Sequence, residues 1–279
     1  KEVEKLLRDG GIEDMGIRLN SRGRPLAPFV NAEEPQYLVI EDRFPNGRPP
    51  FEKAGVYMTD RETVSKTERM KVTTCLNPLH TALAVYGCML GYDRIWKEMK
   101  DPELKALVER IGLTEGLPVV TDPGILSPEA FIREVLEVRL PNPFMPDMPQ
   151  RIAMDTSQKV PIRYGETIKS YIRSETLDVR TLTFIPLAIA GWLRYLLAAG
   201  DEGNAFECSS APMLDVLQKQ LEGVRLGEPD SVDGKLYPIL SNPVLFGTDL
   251  VEAGLAEKIE AMVKEMLAGS GAVRSCLKK

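Results

Sequence analysis

From Asp60 onward, proline and glycine cut the chain into helix-length pieces, and this punctuation constrains its fold most. Asp60 or Thr63 can cap a helix, with acidic Glu62 placed in its first turn. Apolar spacing is helical from there to about Leu90. The same spacing predicts helices over 102–111, 128–138, 165–174, 180–199, 208–222 and 250–267, with breaks such as LPNPFMPDMP at 140–149. No internal repeat or low-complexity tract interrupts the pattern. Residues 63–279 therefore read as one all-α domain.

The first 62 residues differ in character. Residues 1–9 read as the end of an amphipathic helix, and 10–35, rich in Gly, Pro and Asn, as loop. Residues 37–40 (YLVI) and 55–59 (GVYMT) read as strands. Two short strands do not hold a sheet alone, so 1–62 reads as the trailing part of something larger. The expected fold is mainly α, a multi-helix domain behind a short α/β piece. The first residue, Lys1, is not Met, which suggests that sequence is missing upstream.

Composition removes several function classes. With 43% hydrophobic and 27% charged residues, the chain can bury an ordinary globular core. Its net charge of −6 argues against a general nucleic-acid or anionic-membrane binder. Residues 182–199 are apolar but short, and they carry Arg194, so they read as a buried helix and not a membrane span. Cys75, Cys88, Cys208 and Cys276 form no CxxC pair, which speaks against zinc and fits a reducing, cytoplasmic setting. Cys75 and Cys88 lie among apolar neighbours and read as small core residues. No GxGxxG or GxxxxGK[ST] motif occurs, so this chain builds no dinucleotide or phosphate loop.

The informative window is residues 70–82, MKVTTCLNPLHTA. Asn77 and His80, the chain's only histidine, are three apart and share a helix face. A lysine such as Lys71 at a desolvated pocket can serve as a general base. Asn and His can hold an oxygen that alternates between hydroxyl and carbonyl. Residue types alone favour the bland alternative of a surface lysine, a buried asparagine and a core histidine.

The window also resembles the catalytic helix of the long-chain mannitol dehydrogenase family, which includes fructuronate and tagaturonate reductases. Residues 40–49 (IEDRFPNGRP) are similar to the family's exit from its cofactor domain, and 55–60 (GVYMTD) to the next strand. Asn142, Pro143, Asp147, Arg151 and residues 155–159 (DTSQK) resemble its second active-site stretch. The resemblance covers most of the chain. It implies a Rossmann-type origin for 1–62 and a helical substrate domain for 63–279. It also implies NAD(H) or NADP(H) as cofactor, bound mainly by a domain outside this sequence, with no catalytic metal. Lys71 would be the general acid/base, and Asn77 and His80 would position the reacting oxygen and orient the lysine. Arg151 and Lys159 would bind distal hydroxyls or a carboxylate, a geometry that suits bidentate arginine. Their alternative is an ion pair with Asp147 or Asp155. The 140–149 stretch would be a pocket lip or a rigid linker.

The spacing departs from the family's. Lys71 lies six positions before Asn77, where the family has five. At about 100° per residue, the nine steps from Lys71 to His80 turn about 900° and put the two on opposite faces, whereas eight steps leave them about 80° apart. Pro78 cannot supply the helical hydrogen bond to Thr74. An extra residue before a proline is what a π-bulge accommodates, so the sequence predicts one between about Val72 and Pro78.

The expected function is interconversion of a secondary alcohol and a ketone on an open-chain sugar acid or polyol, with D-mannonate and D-fructuronate preferred and mannitol and fructose next. A helical interaction module without catalysis is the reading from a different class. It draws on the missing dinucleotide motif.

Overall fold

The computed structural model describes residues 38–278, together with Asp9, Gly11 and the strand pair β1 (Arg18–Leu19) and β2 (Pro25–Leu26). Apart from Asp9, the helix read over 1–9 lies outside the described residues. Within the stretch read as loop, β1 and β2 pair antiparallel, Arg18 opposite Leu26 and Leu19 opposite Pro25. Strands of two residues have no alternation to betray them, which is why the sequence pattern misses them.

The chain divides into two compact units. One comprises Lys1–Leu38 and Pro49–Tyr57, the other Val39–Arg48 and Met58–Lys279. The first contains a 3₁₀ turn, Phe51–Ala54, closed by Gly55 at φ 82°, a left-handed position that costs glycine nothing. Strands β3 (Val39–Glu41) and β4 (Tyr57–Thr59) fall where the sequence places them and pair as a second two-stranded sheet. The reading from sequence drew its line at residue 62, whereas 39–48 and 58–62 belong to the helical unit.

That unit opens with α1 (Arg61–Met70), capped by the Asp60 carboxylate, which accepts the Thr63 amide at 2.8 Å. A π-helical turn, Lys71–Cys75, follows, then α2 (Asn77–Met89). Next come α3 (Ile95–Glu98), α4 (Pro102–Glu109), α5 (Pro128–Glu134), α6 (Pro149–Ile152), α7 (Thr156–Arg163) and α8 (Gly165–Arg173). The remainder are α9 (Phe184–Tyr195), α10 (Leu214–Gln220), α11 (Tyr237–Leu240), α12 (Pro243–Phe246), α13 (Ala256–Met266) and α14 (Ala272–Leu277). The unit is mainly α, as the punctuation implies.

Its centre is a pair of almost wholly buried helices, α2 and α9, with α13 packed on α9 and α6 on α2. Both central helices are buried on nearly every face, the pattern of a core helix. They meet at Gly191, where a Cβ would stand 2.6 Å from the Tyr86 ring. The Tyr86 hydroxyl fills its need there by donating to the Leu187 carbonyl at 2.8 Å. Arg194, fully buried on α9, donates to the carbonyls of Ala199 (2.7 Å), Gly200 (3.2 Å) and Met266 (3.3 Å). A buried cation survives only with such partners. Among the described residues no helix is long and apolar enough to cross a membrane. All four cysteines are buried, and burial pushes the Cys75 and Cys88 thiols up to about 12.

Several boundaries differ from the sequence pattern. Helix 208–222 shrinks to Leu214–Gln220 because Pro212 precedes it, and 250–267 starts only at Ala256, after Gly254 at φ 73°. The four-residue helices α6 and α12 open on proline, a residue that starts a helix as readily as it stops one. Helix α7 escapes the pattern because it carries Pro161 inside.

Candidate functional site

The Lys71–Cys75 turn settles the spacing problem at the level of the backbone. Its defining bond runs from the Leu76 amide to the Lys71 carbonyl, 3.1 Å across five residues. Regular helix resumes at Asn77, so Pro78 sits in the first turn of α2, where its missing N–H is no loss. The π-turn takes up the extra residue, and nine steps from Lys71 to His80 then count as about eight in angle, or about 80° apart. Lys71 is half-buried, and its amine has no side-chain partner among the described residues. The Asn77 carboxamide is likewise unengaged, while its backbone carbonyl accepts the Thr81 hydroxyl at 2.9 Å.

His80 is largely buried, with 12% of its side-chain surface exposed. Burial pushes its imidazole down to about 4; Asp147 opposes that shift, and Arg163, Arg139 and Arg151 reinforce it. The ring is therefore neutral at pH 7. Its Nε2 is shielded from solvent without a hydrogen-bond partner and lies 3.4 Å from Asp147 Oδ2.

Asp147 arrives on the irregular 140–147 segment, whose Phe144 points into solvent at 90% exposure. The segment is pinned where it matters: the Ile95 amide donates to the Asp147 carbonyl at 3.1 Å. The other Asp147 oxygen, Oδ1, takes an ion pair from Arg151 on α6. Arg151 thus has the acidic partner that its bland reading names, but that partner is buried and faces His80.

Lys159 follows a different course. Asp155, at φ 55°, turns the chain into α7, and the Lys159 amine folds back to donate to the carbonyls of Ile152 (3.1 Å) and Met154. Burial lowers its pKa, aided by Arg163 and Arg151 and opposed by Asp155. No ion pair joins it to Asp155 among the described residues.

Two further residues brace the window. Arg163 donates to the Thr81 hydroxyl at 2.5 Å and to the Asn77 carbonyl at 3.5 Å. The buried Tyr164 hydroxyl donates to the Pro78 carbonyl at 2.9 Å. Sequence reasoning passes over both. Arg163 lies one helical turn beyond Lys159 on the same face, but the sequence pattern does not show that helix. The result is a set of cations, Arg139, Arg151 and Arg163, acting on a neutral histidine, with Lys159 next to Arg151 and Arg163 and with Asp147 as the buried counter-charge. Such an arrangement can bind a carboxylate or hydroxyls.

The chain is 56% identical, over its whole length, to D-mannonate oxidoreductase of Thermotoga maritima, of which it covers 51%. It is 34% identical over 89% of its length to mannitol 2-dehydrogenase of Emericella nidulans, covering 44% of that protein. Among solved structures, it resembles Pseudomonas fluorescens mannitol 2-dehydrogenase in ternary complex with NAD and D-mannitol, with TM-score 0.67 and 25% identity over 86% of this chain and 45% of that one. A D-sorbitol dehydrogenase in substrate-free form matches with TM-score 0.70 and 27% identity, over 86% and 46%. The chain spans about half the length of the relatives it matches. Residues 63–267 match the model of the mannitol dehydrogenase C-terminal domain, and the chain belongs to that family.

Proposed function

We propose that this chain is the substrate-handling part of a nicotinamide-dependent oxidoreductase that interconverts the C–OH of an open-chain sugar acid with the matching ketone, D-mannonate with D-fructuronate. The observation that carries the substrate class is the cationic cluster about His80, which suits a carboxylate better than a neutral polyol chain. The 56% identity to a D-mannonate oxidoreductase points the same way.

In this reading Lys71 is the acid/base. Its amine takes the hydroxyl proton as the alcohol is oxidised and returns it to the oxygen when the ketone is reduced. Asn77 donates to that oxygen, and neutral His80 holds it in line with the lysine. Arg151 and Lys159 take the carboxylate and distal hydroxyls. Bound nicotinamide supplies or accepts the hydride. The residues present fit the proton side of this reaction and not the dinucleotide, because the sequence lacks a phosphate-cradling glycine loop; no residue here is assigned to the cofactor. No metal is assigned a role.

Mannitol/fructose exchange is the second reading, favoured by the relatives and solved structure that carry mannitol in their names. Assaying the full-length protein with D-mannonate and D-mannitol, each with NAD and NADP, decides between them. Turnover faster with D-mannonate supports the first reading and turnover only with D-mannitol the second. No nicotinamide turnover with either removes both and leaves the non-catalytic helical module.

A further inference from the structure

Asp147 stands between two groups that the proposed reaction uses, and it serves only one of them fully. Its carboxylate is buried, with 12% of the side-chain surface exposed; Oδ1 holds Arg151, while Oδ2 stops 3.4 Å short of His80 Nε2. A normal N–H···O bond spans about 2.7–3.2 Å, so the imidazole is a few tenths of an ångström from pairing. Nε2 has no other partner and no water-accessible surface. The backbone of Asp147 is fixed by the Ile95 amide, which leaves the side chain as the part free to shift. Arg151 differs from its partner in being 58% exposed, open to a carboxylate arriving from solution.

We propose that Asp147 is a positioning residue that couples binding of a substrate carboxylate to the state of His80: the substrate takes Arg151, and the released Asp147 carboxylate closes on His80 Nε2–H. This fixes the proton on Nε2 and leaves Nδ1 as an acceptor. A neutral polyol cannot draw Arg151 away, so its ring stays unpaired, and acids are selected through kcat as well as KM. The idea rests on the sugar-acid reading above. The charged groups facing His80 are Asp147 from the 140–147 segment, Arg139 from a second π-helical turn at Val135–Arg139, Arg151 from α6 and Arg163 from α7.

The test compares wild type and Asp147→Asn in the full-length protein. With D-mannonate, kcat of the variant should fall about 10–100-fold while KM stays level or drops, because Arg151 is no longer held back. A second measurement is imidazole ¹⁵N NMR of His80, assigned against His80→Gln. Saturating D-mannonate should move the wild-type Nε2 signal, D-mannitol should not, and Arg151→Ala should abolish the response. In Asp147→Asn the His80 midpoint should move to lower pH, since the carboxylate that favours the imidazolium is gone. Wild-type turnover on D-mannonate with kcat unchanged in the variant overturns the proposal, as does a wild-type Nε2 signal indifferent to D-mannonate. Absence of wild-type turnover on D-mannonate instead strikes the sugar-acid reading, and this proposal falls with it.

Discussion

The Leu76 amide reaches back five residues to the Lys71 carbonyl, at 3.1 Å, and then the chain resumes α-helix at Asn77. Everything between Lys71 and Cys75 is wound as a π-turn with Thr73, Thr74 and Cys75 buried. Such a turn is costly in hydrogen-bond geometry and recurs at functional sites.

Replacing Lys71 with Met in the full-length protein should lower kcat by about 10²–10⁴-fold, the usual contribution of acid/base catalysis. The amine has no partner to lose, so stability should change by less than about 0.5 kcal/mol. Steady-state kinetics beside a urea titration separate the two effects.

Arg151→Ala should raise KM for D-mannonate more than for D-mannitol. A hydrogen bond to a charged group is worth about 1.5–3 kcal/mol, which corresponds to about 10–150-fold. Equal changes for acid and polyol would mean that Arg151 does not read the carboxylate.

Glu98 supplies a pH prediction. Its carboxyl is fully buried against Gly87, whose Cβ would stand 2.2 Å from Oε1, and neither oxygen has a partner. Burial, then Asp101, raises its pKa well above the ordinary glutamate value of 4.5. The folded state thus holds a proton that the unfolded chain releases. Stability from this group is complete below about pH 4.5 and declines as pH rises toward the folded pKa, by up to about 1.4 kcal/mol per unit. Glu98→Gln should flatten that slope and gain on wild type between pH 5 and 8, read by urea unfolding at each pH.

Gly165→Ala tests the packing of α8 on α12. The added carbon would meet the Phe246 carbonyl oxygen at 2.0 Å, and Phe246 is itself fully buried edge-on to Trp192. With backbone on one side and core on the other, the clash should cost about 1–3 kcal/mol in a urea titration.

The sequence carried the π-turn because an inserted residue and Pro78 fall together, and it carried the Asp60 cap and the β3 and β4 strands through local chemistry. It did not carry α7, where Pro161 reads as a stop, nor the burial of Asp147, which depends on the Ile95 backbone and on α6. Arg163 and Tyr164 brace Asn77, Pro78 and Thr81 from more than 80 residues away, a relationship with no local signature.

The π-turn also bears on how relatives of this chain are found. A pattern that fixes the Lys–Asn interval at five residues passes over this chain, although one turn of backbone absorbs the sixth. The quantity that the turn preserves is the angle about the helix axis, so an insertion here is a change of winding and not a loss of the motif.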